Sequence, residues 1–67
     1  MHDIQLNGAA HQVADGLSVA GLLASLGLPR QKVAVERNEA IVPRSTYEQV
    51  LLTPGDQIEI VHFIGGG

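Results

Sequence analysis

Asp3-Ile4-Gln5-Leu6-Asn7-Gly8-Ala9-Ala10-His11-Gln12-Val13, followed four residues later by Ser18-Val19-Ala20-Gly21-Leu22-Leu23-Ala24-Ser25-Leu26-Gly27-Leu28-Pro29, decides the fold. Ile4 and Leu6 alternate with polar neighbours, and Asn7-Gly8 is the dipeptide that tolerates positive φ at both central positions of a tight hairpin. Two antiparallel strands over about 2–6 and 9–13 follow. A two-residue loop sets Leu6 opposite Ala9 and Ile4 opposite His11, so Ile4, Leu6 and Val13 share one face that needs a cover. The cover is next in the chain. Ser18 is a good helix N-cap, and Val19, Leu22, Leu23 and Leu26 recur at i, i+3, i+4 and i+7. Gly27 and then Pro29 end the helix. At about nine residues it is marginal alone, so its leucine stripe must be held by the hairpin; Leu22→Asp or Leu26→Asp is expected to unfold the domain.

Downstream, Val33-Ala34-Val35-Glu36 reads as a third strand, Asn38-Glu39 as a turn, and Ala40-Ile41-Val42 as a short extended return ended by Pro43. Arg44 to Gln49 is polar and predicts a single helical turn, with Arg44 and Glu48 as an i,i+4 pair on a solvated face. Val50-Leu51-Leu52 leads into Thr53-Pro54-Gly55-Asp56, which fits a type II turn. Ile58 and Ile60 then alternate with Gln57 and Glu59 in a last strand. Helix-crossover links favour parallel neighbours, so that strand is expected beside the first. The expected fold class is α+β: a β-grasp, or ubiquitin-like, mixed sheet of four to five strands with one main helix packed across one face. Residues 1–64 form the domain and 65–67 a flexible glycine tail.

Composition narrows the function. Sixty-seven residues allow one domain, and 45% hydrophobic against 16% charged residues describe a globular chain. The absence of cysteine excludes a disulfide framework and a zinc–thiolate site. Four basic residues, Arg30, Lys32, Arg37 and Arg44, and a net charge of −3 are too little for a phosphate-tracking surface, so nucleic acid is not expected as a partner. With no apolar run long enough to span a bilayer and no signal peptide, no membrane association and a cytoplasmic location are expected. No glycine-rich nucleotide loop is present, so any ATP chemistry must belong to a partner. Ser18 and Ser45 are better explained as a cap and a turn residue than as nucleophiles. His2 and His11 share a face of the hairpin, but Asp3 points away, so no metal site is assigned. His62 is read as a polar residue where a strand leaves the core.

Chemistry is expected at the end of the sequence. Gly65-Gly66-Gly67 can thread a narrow channel, and five extended residues from Phe63 reach roughly 16–18 Å. Beside this strip, Val61 and Phe63 fall on the polar parity of the last strand and Ile64 on the core parity. Val61, Phe63 and Ile64 are therefore the candidate docking patch. A carboxylate is a poor electrophile and needs activation; adenylation by a partner, attack by a persulfide and reductive release would leave a thiocarboxylate. Lys32 is the one lysine, so an activated end meets few internal nucleophiles.

The Asn7-Gly8 hairpin, Leu17-Ser18-Val19 leading to Leu22-Leu23, Val33-Ala34-Val35-Glu36-Arg37-Asn38, Ile41-Val42-Pro43-Arg44, Gly55-Asp56-Gln57-Ile58-Glu59-Ile60-Val61 and the closing glycines together resemble the ThiS family of sulfur carriers in thiamine biosynthesis, over essentially the whole chain. The resemblance implies adenylation and thiocarboxylation of Gly67 by a ThiF-type adenylyltransferase using ATP and Mg²⁺, with Gly65 and Gly66 threading partner active sites. It implies sulfur supplied indirectly by a cysteine desulfurase or sulfurtransferase, and delivery to a ThiG-type thiazole synthase. The chain itself would be a monomeric co-substrate with no catalytic residue and no bound cofactor. Other readings of the same fold are a carrier for another pathway, like the small subunit of molybdopterin synthase, a ubiquitin-like modifier, and a non-covalent TGS-like module.

Overall fold

Two hairpins with left-handed corners frame the sheet. The computed structural model describes residues 1–63. The first hairpin joins β1 (His2–Leu6) to β2 (Ala9–Val13) through Asn7 and Gly8, at φ 50° and 84°. Its register is the expected one, with Leu6 opposite Ala9, Ile4 opposite His11 and His2 opposite Val13. The second joins β3 (Val33–Arg37) to the two-residue β4 (Ala40–Ile41) through Asn38 and Glu39, at φ 52° and 71°. Both central residues of each turn have the positive φ that matches the twist of the flanking strands.

Between the hairpins runs α1 (Val19–Leu26). Ser18 caps it, its Oγ accepting from the Gly21 N–H at 3.0 Å. Gly27, at φ 71°, ends it: its N–H donates to the Ala24 carbonyl at 3.1 Å and the Leu28 N–H to the Leu23 carbonyl at 2.9 Å. These two bonds form a Schellman closure, for which a residue without Cβ is favoured at the left-handed position.

The last strand, β5 (Gln57–His62), lies in the middle of the sheet, whose order is β2-β1-β5-β3-β4. It runs parallel to β1 and antiparallel to β3. This is the β-grasp arrangement, a mixed five-stranded sheet with one helix across one face. Ile4, Val13, Val33, Val35 and Ile58 from the strands meet Val19, Leu22 and Leu23 of α1 in one buried cluster. Leu26 is only partly buried against it, so the helix stripe is not uniform, and the expectation that Leu26→Asp unfolds the domain rests on less packing than Leu22→Asp does.

Two details differ from the sequence reading. The segment after Pro43 holds the expected helical turn, as a 3₁₀ turn over Arg44–Thr46, but within this stretch read as polar Tyr47 is 1% exposed and among the largest fully buried side chains. An aromatic ring set in an irregular polar stretch has no periodicity to announce it. Glu48, read as a partner of Arg44, instead takes the forked guanidinium of Arg30, which also donates to the Arg44 carbonyl at 2.8 Å and lies 5.3 Å from the centre of the Tyr47 ring. Arg44 donates to the Val33 carbonyl at 3.3 Å. The cation over the ring thus ties the loop after α1 to the loop after β4.

Candidate functional site

The candidate site lies at the end of β5, and the structure pins that strand at its start, along its length and at its exit. At the start, Asp56 is 5% exposed. Its carboxylate accepts from the Thr53 N–H at 2.8 Å, Thr53 Oγ1 at 2.9 Å, Arg37 Nε at 2.9 Å and Asn38 Nδ2 at 3.1 Å. Burial pushes its pKa up, but the bonds from the Thr53 backbone, Arg37, Asn38 and the Thr53 hydroxyl together outweigh that and hold it below the ordinary carboxylate value of 3.8. The turn before it is the expected one, with Gly55 at φ 83° and the Asp56 N–H donating to the Thr53 carbonyl at 3.1 Å.

Along its length, β5 is held by side chains from both hairpin corners. Asn38 Oδ1 accepts from the Gln57 N–H at 2.9 Å, while the Asn38 N–H donates to the Gln57 carbonyl at 2.7 Å. On the other side, Asn7 Oδ1 accepts from the Ile60 N–H at 2.8 Å, and the Asn7 N–H donates to the Ile58 carbonyl at 2.9 Å. Strand β1 ends at Leu6, so the Asn7 amide continues the ladder where backbone partners stop. The sequence marks both asparagines only as turn formers. What it leaves unmarked is a second role for a polar side chain that already has a local one.

At the exit, Val33 pairs with His62, Ala34 with Val61, and the Phe63 N–H donates to the Lys32 carbonyl at 2.8 Å. Ile58 and Ile60 point to the core, whereas Val61 is 57% and Phe63 41% exposed. The two residues named as a docking patch therefore stand in solvent beside the last tie between β5 and the body among the described residues. His62 is exposed at the strand end. Ile64, the third member of the patch, and Gly65, Gly66 and Gly67, where tail threading, adenylation and thiocarboxylation were expected, lie outside the described residues.

Elsewhere the chemistry is structural. His2 Nδ1 bonds Asp15 Oδ1 at 2.8 Å, and that bond is the main cause of a lowered Asp15 pKa. Among the described residues no three His, Asp or Glu side chains are grouped to hold a metal ion, and no helix is long and apolar enough to cross a membrane.

Comparison with known proteins places these features in a family. The family model described as the ThiS family matches residues 4–67. The chain is 45% identical over 65 residues to the sulfur carrier protein ThiS of Bacillus subtilis, covering 96% of this chain and 98% of that one. It is 56% identical over 64 residues to a thiazole synthase of Magnetococcus marinus, covering 96% of this chain and 20% of that protein, so the chain spans about a fifth of the length of that relative. The fold superposes on the crystal structure of the thiamine biosynthesis protein ThiS from Geobacter metallireducens with a TM-score of 0.82 at 31% identity, covering 97% of this chain and 99% of the other. By its near-complete match in sequence and in fold, the chain belongs to the ThiS family.

Proposed function

We infer that this chain is a sulfur carrier for formation of the thiazole ring of thiamine. The observation that carries the reading is the match along nearly its whole length to a sulfur carrier of the family. The placement of β5 supports it: the strand leading to the glycine run is the central one, and its last described residues are solvent-accessible.

In this reading a ThiF-type adenylyltransferase, using ATP and Mg²⁺, joins the Gly67 carboxylate to AMP with release of pyrophosphate. The mixed anhydride turns a charged, unreactive carboxylate into an acyl group with a good leaving group. The terminal sulfur of a persulfide, charged by a cysteine desulfurase or sulfurtransferase, attacks the acyl carbon and displaces AMP. A thiol then attacks the donor's sulfur in the resulting acyl disulfide, releasing the thiocarboxylate on Gly67 and forming a disulfide with the donor; a second thiol frees the donor thiol and leaves the two reducing thiols joined as a disulfide. A ThiG-type thiazole synthase takes the sulfur. The carrier supplies no catalytic group; its body provides recognition and Gly65 and Gly66 give access to two successive active sites.

Intact mass after incubation with ATP, an active ThiF-type enzyme and a cysteine-fed desulfurase tests the reading. A gain of about 16 Da, one terminal oxygen replaced by sulfur, is expected. An unchanged mass with an enzyme proven active on another carrier would overturn it.

A further inference from the structure

The sheet has one face under α1 and one with no cover among the described residues. Strand register fixes which side chains stand on the open face. Glu36 lies directly opposite Glu59 on β5 and, on its other side, opposite Ile41 on β4. Two residues along the same pair of strands, and so on the same face, Ala34 lies opposite Val61. Ile41 is 67% and Val61 57% exposed, so neither serves the core. The open face thus presents two facing carboxylates flanked by two large apolar groups.

Like charges placed directly across a strand pair weaken a sheet. Of the four cations of the chain that could relieve the repulsion, the fold commits three elsewhere. Arg37, next to Glu36 in sequence, has the opposite parity and gives its Nε to Asp56. Arg30 is forked onto Glu48, and Arg44 donates to the Val33 carbonyl. Glu36 and Glu59, with Glu39 and Gln57, line a recess of about 250 Å³. The free domain bears a repulsion that an incoming positive charge would turn into attraction.

We propose that the open sheet face is a docking surface for a basic protein surface, which sets an arginine or lysine between Glu36 and Glu59 and apolar side chains against Ile41 and Val61. The occupant is the thiazole synthase the carrier serves. This rests on the sulfur-carrier reading, and the choice of partner rests on thiazole synthases that hold, within one polypeptide, a segment similar to nearly all of this chain. The surface is also continuous with the exit of β5: Val61 is two residues before Phe63, so a partner seated here receives the glycine run at its own rim.

The test is a titration of the full chain against purified ThiG-type thiazole synthase at about 50 mM and 500 mM salt, conditions that bracket weak and strong screening. Three forms are compared: wild type, the E36Q/E59Q pair, and a control pair, Q31K/S45K, which changes net charge equally at exposed positions off this face. Wild-type association weakens with salt, E36Q/E59Q binds at least about tenfold more weakly at low salt, and the control stays within about threefold. The thermal melt of E36Q/E59Q is unchanged or raised, because the repulsion is gone. No wild-type binding, equal binding by E36Q/E59Q, or equal weakening by the control would each overturn the proposal. The carrier reading is judged separately by the mass gain of the wild-type chain with its activating enzyme.

Discussion

Arg37 Nε donates to Asp56 Oδ2 across 2.9 Å, and the two residues belong to β3 and to the turn that opens β5. The pair joins the strand that flanks β5 on one side to the start of the strand that leads to the glycine run. Asp56 is buried and Arg37 is half-buried, so the bond is partly shielded from water.

Removing the Asp56 charge is therefore costly. Asp56→Asn should lower unfolding free energy by about 2–3 kcal/mol, the range for losing hydrogen bonds to a buried charge, read by urea denaturation near neutral pH. Because the folded pKa lies below 3.8, the contribution is complete above 3.8 and disappears as pH falls through the folded value. Melts between about pH 2 and 6 should show an acid limb in the wild type that Asp56→Asn flattens. A variant with the same acid limb would remove Asp56 as its source.

Glu39 sits at φ 71°, a region that L-residues with a Cβ occupy at a cost of roughly 1–2 kcal/mol. Glu39→Gly relieves that cost while widening the unfolded ensemble, for a net gain of about 0.5–1 kcal/mol. Chemical denaturation of the two forms measures it. A loss of stability would mean that the Glu39 side chain holds the turn.

Leu22 is fully buried and Leu26 only partly so. Leu22→Ala should cost about 3 kcal/mol and Leu26→Ala about 1 kcal/mol, since the penalty follows the packing removed and the cavity left. Equal losses in a denaturant series would contradict the asymmetry of the helix stripe.

Deleting Gly66 and Gly67 should abolish the mass gain described above and leave the thermal melt almost unchanged, because glycine has no side chain to bury. Loss of folding would show that the end of the chain serves structure instead.

Local signals made much of this fold legible. The Asn7-Gly8 corner set the hairpin register, Ser18 and Gly27 set the ends of α1, and Pro54-Gly55 set the turn before β5. Each depends on residues within a few positions of one another. What stayed hidden depends on distant pairs. Asp56 looked like a turn residue because Arg37 and Asn38, 19 and 18 positions away, reach it only through the β3–β5 register. Arg30 finds Glu48 across 18 positions because the fold brings the loop after α1 against the loop after β4, displacing the nearer Arg44–Glu48 pairing. Tyr47 enters the core from a loop, where no period of 2 or 3.6 marks inward positions. Of the site, the sequence disclosed the exposed parity of Val61 and Phe63 but not the opposed Glu36 and Glu59, which only pairing brings face to face.

The middle position of β5 has a mechanical consequence. A force applied beyond Phe63, along the strand axis, loads the bonds to β3 on one side and to β1 and Asn7 on the other together, in shear. Bonds loaded side by side share tension, whereas bonds at a peeled edge fail in turn. A partner that draws in the end of the chain thus pulls on the strand best placed to resist being dragged out.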